Sequence, residues 1–356
     1  MHKKSDSAQN ASADGEHNKS EAFVAVATTP KVTPDSSLEP HQSLPPCRGK
    51  ARMGVEVLEP DSTPTLSLPL QGGGHVVAAN GLSESKSIVL PRSARLPINR
   101  CNLPADILGG LTFQRSPVAL ELDGVAQFHR GLFALLDKFD DAGERADAFT
   151  MHMNASFYLD EPEQAGYSSK ATHKRQKADY LRMVRGWSFD ADGREGAALK
   201  GWVESRFGLL PRHHGGQIRD LSGEAYRRYL EMRATALYGT NALESQFDLL
   251  YTYCQYELAR LHPNETHLTL YRGVNRVDDH ETLATLDSKH RVVLFNNLSS
   301  FTANRERADE FGDYLLSARV PLSKVFCYTR LLPGMLQGED EYTVIGGLYE
   351  VSIAAY

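Results

Sequence analysis

Apolar residues recur at helical intervals through the middle of the chain and at strand-like intervals towards its end. Within residues 118–139, Val125, Phe128, Leu132 and Leu135/Leu136 fall three and four positions apart, which predicts a helix with one buried stripe. Leu243, Phe247, Leu250, Tyr251, Cys254, Leu258 and Leu261 repeat that spacing, and Pro263 and Asn264 close the second helix. After about residue 266 the texture changes. THLTLYRGV, RVVLFNN, YLLSARVPLSKVFCY and EYTVIGGLYEVSI are short, β-branched and aromatic, and polar turns separate them, so each predicts a strand. One helical stretch, ANRERADEFGDY, interrupts the series. Helices first and strands last predict an α+β fold rather than an alternating doubly wound sheet. There are no internal repeats.

Composition sets the boundaries. Residues 1–95 hold nine of the seventeen prolines and a single aromatic, Phe23, of thirty-one. Such a stretch lacks the large side chains whose burial offsets backbone entropy, so it predicts a disordered Pro/Ser/Gly-rich tail with no catalytic role. Residues 96–265 then form a mainly helical part, and residues 266–356 a β-rich part, of one domain. The net charge of −6 offers no excess of cations for nucleic acid. The longest apolar run near the start, Ala22 to Ala27, is too short for a signal-peptide core or a membrane span, so a cytoplasmic protein is expected. Cys47, Cys101, Cys254 and Cys327 are scattered and form no C-x-x-C pair, which fits reduced thiols.

Three short elements carry candidate chemistry. Tyr271-Arg272-Gly273 places a guanidinium, a planar fork suited to phosphate, where a strand meets a turn. Ser300-Phe301-Thr302 places hydroxyls after the RVVLFNN strand, where one can orient a carboxylate. Gln337-Gly338-Glu339-Asp340-Glu341 is an acidic turn feeding a strand; two glutamates there can reach one cleft, as a glycosyl transfer with two carboxylate roles requires. Each element alone has a plainer reading: a surface arginine, a helix N-cap before RERADEF, a solvated acidic turn. Other groups read as structural. The basic stretch Lys170, His173, Lys174, Arg175, Lys177, Arg182, Arg185 fits a solvated helix face, with docking of an acidic partner as the alternative. His213-His214 fit a loop, and Trp187 and Trp202 core or rim packing, with nicotinamide stacking as the alternative. No G-x-G-x-x-G joins a strand to a helix, which counts against a dinucleotide-binding Rossmann unit.

The order Arg, Ser-x-Ser/Thr, Glu-x-Glu resembles the NAD+-dependent, arginine-specific mono-ADP-ribosyltransferases. NRCNLPADILGGLTFQ, FNNLSSFTANRERADEFGDY and LPGMLQGEDEYTVIGGLYEV are similar to their bacterial dinitrogenase reductase ADP-ribosyltransferase family, over residues 96–356. The resemblance implies a mono-ADP-ribosyltransferase-like fold with the helical part packed on a β-rich NAD-binding core. It implies that Arg272 contacts the NAD+ phosphates and ribose, that Ser300 holds Glu341, and that Phe301 and Thr302 complete that motif. Glu341 would bond the ribose hydroxyls and be essential for transfer, and Glu339 would make arginine the acceptor. Thr302 stands where a second serine is usual; the hydroxyl is kept. NAD+ would be consumed as a substrate, with no metal. The implied protein substrate is the nitrogenase iron protein, inactivated on an arginine, with a PII signalling protein as a further partner. An NAD+ glycohydrolase and an inactive binding module are the rival readings.

Overall fold

The computed structural model describes residues 88–161, 179–237, 242–335 and 340–355, all within one compact unit, Ala79–Tyr356. Short helices come first: α1 (Ala105–Leu108), α2 (Leu111–Arg115), α3 (Val125–Phe128) and α4 (Arg130–Leu136). Longer ones follow: α5 (Ala142–Phe157), α6 (Tyr180–Phe189), α7 (Arg194–Phe207), α8 (Glu224–Leu237) and α9 (Leu243–Leu261). Local chemistry fixes several ends. The Asp141 and Asp179 carboxylates accept the Glu144 and Arg182 amides at 3.0 and 2.7 Å, capping α5 and α6. Gly208 ends α7 in the left-handed region at φ +68°.

The two helical stripes fare differently. In α9, Leu243, Phe247, Leu250, Tyr251, Cys254 and Leu258 are buried, as expected, whereas Leu261 in the last turn is 54% exposed. The 118–139 stripe does not form one helix. Gly124 takes φ +76° ahead of α3 and the chain kinks again at His129, so Leu132 and Leu136 are buried while Phe128 is 82% exposed. Packing also begins ahead of residue 96: Leu90 and Ala94 lie in the core.

The sheet is antiparallel and six-stranded: β1 (His267–Val274), β2 (Glu281–Thr285), β3 (His290–Thr302), β4 (Tyr314–Pro321), β5 (Val325–Tyr328) and β6 (Glu341–Ala355), in the order β2-β3-β1-β4-β6-β5. β6 pairs with β3 from Glu341↔Thr302 to Ser352↔His290, and its last residues pair with β4. Since β1 joins β4 and also meets β3, the pairings β3–β1–β4–β6–β3 close on themselves. β1 touches β3 only at Tyr271↔Thr302, so the two strands diverge beyond that point. ANRERADEFGDY yields only α10 (Arg305–Asp309), because the chain must turn at Gly312, tight against Val274, to pair Tyr314 with Val274.

Helices cover the sheet through an aromatic centre: Trp202 packs on Phe207, Phe247, Tyr251 and Phe326 with ring centroids 4.8 to 6.2 Å apart. Buried arginines are matched by carboxylates. Arg145 donates to both Glu257 oxygens at 2.7 and 2.8 Å, and Arg206 to both Asp248 oxygens at 2.7 and 2.8 Å. Among the described residues no helix is long and apolar enough to cross a membrane.

Candidate active site

The three sequence elements converge on adjacent strands. Arg272 sits in β1, Ser300 in β3 opposite Thr343 of β6, and Glu341 is the first residue of β6, opposite Thr302. Asp340, just before it, takes φ +44°, a left-handed turn that carries the chain into β6. The Glu341 backbone is pinned to Thr329: its N–H donates to the threonine hydroxyl at 2.8 Å, and its carbonyl accepts the Thr329 N–H at 3.0 Å.

The Glu341 carboxylate is held on both oxygens. Oε1 accepts the Ser300 hydroxyl at 2.5 Å and the Trp187 indole N–H at 2.9 Å, and Oε2 accepts the Ser188 hydroxyl at 2.7 Å. Trp187 Nε1 also lies 3.0 Å from Ser300 Oγ. Ser300 further ties the site together through its carbonyl, which accepts from Arg272 Nη1 at 2.6 Å. The Arg272 Nε is buried and has no hydrogen-bond partner among the described residues. Burial lowers the Arg272 pKa, against the pull of the Glu341 charge. A buried guanidinium with an open donor needs an acceptor, and an anion supplies one best.

Arg272 lines a cleft of about 390 Å3 between β1, β3 and the α6–α7 corner. Its wall includes Trp187, Lys200, Arg272, Asn275, Ser300 and Phe311. Lys200 is buried, and its ammonium donates to Asp192 at 2.8 Å and to the His213 carbonyl at 3.0 Å. Burial lowers the Lys200 pKa, while Asp192 opposes the shift. Burial would raise the Asp192 carboxyl, but His213 and Lys200 outweigh it and hold it below the usual range. Burial and the neighbouring Arg272 charge push His280 down to about 4. A second, larger cleft of about 910 Å3 is lined by residues that include Asn304, Tyr328, Arg330, Asp340, Glu341 and Tyr342. Ser300 lines the first cleft and Glu341 the second, so their hydrogen bond joins the two.

The remaining sequence candidates separate. Phe301 points the other way along β3, packed in the core at 5.2 Å from the Phe295 ring, so it is not placed to touch a ligand in the cleft. Thr302 is buried, and its hydroxyl accepts the Asn304 N–H at 3.1 Å in the turn leading to α10. Asn304, not Ser300, caps that helix. Glu339 and Lys170 to Lys177 lie outside the described residues. The His213-His214 loop is not free: His214 is buried, 3.2 Å from Lys200 Nζ and 3.1 Å from the Met232 sulfur. Trp202 is core, whereas Trp187 belongs to the site. Sequence reasoning missed the role of Trp187 and passed over Ser188; a tryptophan–serine pair ending an amphipathic helix carries no local signal of which carboxylate it will meet.

Comparison with known proteins identifies a family for this chain. The family described as dinitrogenase reductase ADP-ribosyltransferase (DRAT) matches residues 98–353. A curated relative, the NAD(+)--dinitrogen-reductase ADP-D-ribosyltransferase of Rhodospirillum rubrum, is 41% identical over 257 residues, covering 71% of this chain and 93% of its own. No solved structure matches. With most of its length matched and its strand-end arginine, serine and glutamate brought to one site, this chain belongs to the dinitrogenase reductase ADP-ribosyltransferase family.

Proposed function

We propose that this protein transfers ADP-ribose from NAD+ to an arginine of dinitrogenase reductase, on a mono-ADP-ribosyltransferase-like fold. Family membership and the relative's name support the donor and the protein substrate. The observation that carries the reading within the molecule is the Ser300–Glu341 hydrogen bond of 2.5 Å together with an Arg272 Nε that has no partner among the described residues.

The proposed chemistry rests on those groups. Arg272 donates to the NAD+ diphosphate, whose oxygens accept, and the cleft that Arg272 lines takes the dinucleotide. The bond between nicotinamide and ribose C1′ breaks with its electron pair leaving on nicotinamide, and positive charge spreads over C1′ and the ring oxygen. Glu341 bonds a ribose hydroxyl and stabilises that charge, which a preoriented carboxylate does without reorganising. A nitrogen of the acceptor guanidinium then forms the new bond to C1′ and loses a proton. A guanidinium is always charged and a poor nucleophile, so a base is required, and Glu339 is our candidate. NAD+ is a substrate, not a resident cofactor.

The test is mass spectrometry of dinitrogenase reductase incubated with NAD+ and each form of the enzyme. Wild type is expected to leave one ADP-ribose on an arginine. Glu341→Gln is expected to lose transfer and NAD+ cleavage together, by roughly 100-fold or more. Glu339→Gln is expected to lose transfer yet keep NAD+ cleavage. Equal loss of both in Glu339→Gln contradicts its assigned role, and cleavage without any transfer by wild type favours a glycohydrolase.

A further inference from the structure

Two side chains from the helical layer reach the same carboxylate, and no catalytic motif announces them. We propose that Trp187 and Ser188, at the end of α6, are positioning residues that fix the plane of the Glu341 carboxylate; this rests on the role given to Glu341 above. A single donor on one oxygen leaves a carboxylate free to swing about its terminal bond. Donors on both oxygens remove that freedom, and here Ser300 and Trp187 take Oε1 while Ser188 takes Oε2. Of the about four acceptor positions of a carboxylate, one on Oε2 is left for a substrate hydroxyl.

The donors themselves are held. The Ser300 hydrogen goes to Glu341, so the Ser300 oxygen is free to accept from Trp187 Nε1 at 3.0 Å, and the three groups form a closed triangle. The Ser188 hydroxyl lies 2.7 Å from Glu341 and 3.4 Å from the Val184 carbonyl, which assigns its hydrogen to the glutamate. Trp187 is 3% exposed, and the Lys200 ammonium lies 5.8 Å from its ring centre. The corner that carries them is tight: a methyl on Gly186 would meet Glu195 of α7, and one on Gly196 would meet the Ala191 backbone. α6 is therefore locked against α7, and the locked helix end sets the direction of Glu341. Such placement acts through another residue, and it matters most where charge develops in the transition state.

The test uses the full chain, NAD+ and dinitrogenase reductase, with Trp187→Phe, Ser188→Ala, Ser188→Thr and Glu341→Gln. Trp187→Phe and Ser188→Ala are each expected to lower kcat by roughly 10-fold, with the KM for NAD+ within about 2-fold of wild type, because the lost constraint acts at the transition state. The thermal midpoint of Ser188→Ala is expected to match wild type, and Ser188→Thr, which keeps the hydroxyl, is expected to recover kcat. Wild-type kcat in both Trp187→Phe and Ser188→Ala, or a Ser188→Thr no better than Ser188→Ala, overturns the proposal while leaving an inactive Glu341→Gln, and the function above, intact. Full activity in Glu341→Gln overturns both.

Discussion

At the scale of single residues, the site depends on groups whose partners lie far away in the chain. Arg272 illustrates how much a side chain's meaning rests on its surroundings. In the sequence it is one arginine at a strand end; in the fold its Nη1 is fixed to the Ser300 carbonyl at 2.6 Å while its Nε is buried without a partner among the described residues. Lysine would keep the charge but lose the fork. Arg272→Lys is therefore expected to raise the KM for NAD+ by about 10- to 100-fold, the range for losing charge-assisted hydrogen bonds, as steady-state kinetics with varied NAD+ will measure. An unchanged KM would remove Arg272 from the NAD+ site. Phe301 carries the opposite lesson. It sits between two hydroxyl residues in a motif, yet strand alternation turns it into the core beside Phe295.

At the scale of elements, the pairing of β3 with β6 sets the distance between Ser300 and Glu341. The register shifts between Phe295 and Leu298, where the Asn297 side chain donates to the Lys200 and Leu209 carbonyls at 2.8 and 3.0 Å. Opposite that bulge Gly346 leaves no room for a methyl, which would collide with the Asn296 carbonyl. Gly346→Ala is expected to cost about 2–3 kcal/mol, through forced separation of the strands, and to lower transfer as well. Gly131 in α4 is the control: nothing lies within 4 Å of a methyl added there, so Gly131→Ala is expected to be neutral or to stabilise by about 0.5–1 kcal/mol. Urea midpoints for the two variants will check the contrast; a harmless Gly346→Ala would mean that the bulge is not a fixed point. The register could not be read from the sequence. The pattern places a strand at RVVLFNN and Ser300-Phe301-Thr302 after it, whereas both belong to one strand, β3, whose register shifts at the two asparagines.

At the scale of the whole molecule, several buried basic groups are kept neutral or matched, and this sets a pH dependence. Burial, with the Lys200 charge next, lowers His214 from its ordinary 6.5 to about 4. The folded state therefore holds His214 neutral where the unfolded chain would protonate it. Above about pH 6.5 neither state binds the proton and its contribution is complete. As pH falls from there towards 4 the unfolded chain gains protons first, and stability declines. At about 1.4 kcal/mol per pH unit the loss from this one residue reaches about 3 kcal/mol. His280, lowered in the same direction, adds to it. Urea unfolding at pH 7 and pH 5 is expected to show the lower stability at pH 5; equal stability would show that His214 is not held neutral in the fold.

Sequence pattern alone determined the fold class, the buried face of α9, the positions of most strands, and the order in which the arginine, serine and glutamate occur. These are local properties: periodicity, β-branching and motif spacing need no knowledge of what packs where. Tertiary structure alone decided which of those residues meet. It turned Ser300 and Glu341 towards each other and Phe301 away, broke the 118–139 stripe into α3 and α4, and buried His214 against Lys200. It also brought Trp187 and Ser188 from 154 and 153 positions away onto Glu341. The reason is physical: a hydrogen bond at 2.7 Å depends on the closure of four strands and the seating of a helix corner, and neither leaves a trace in neighbouring residues.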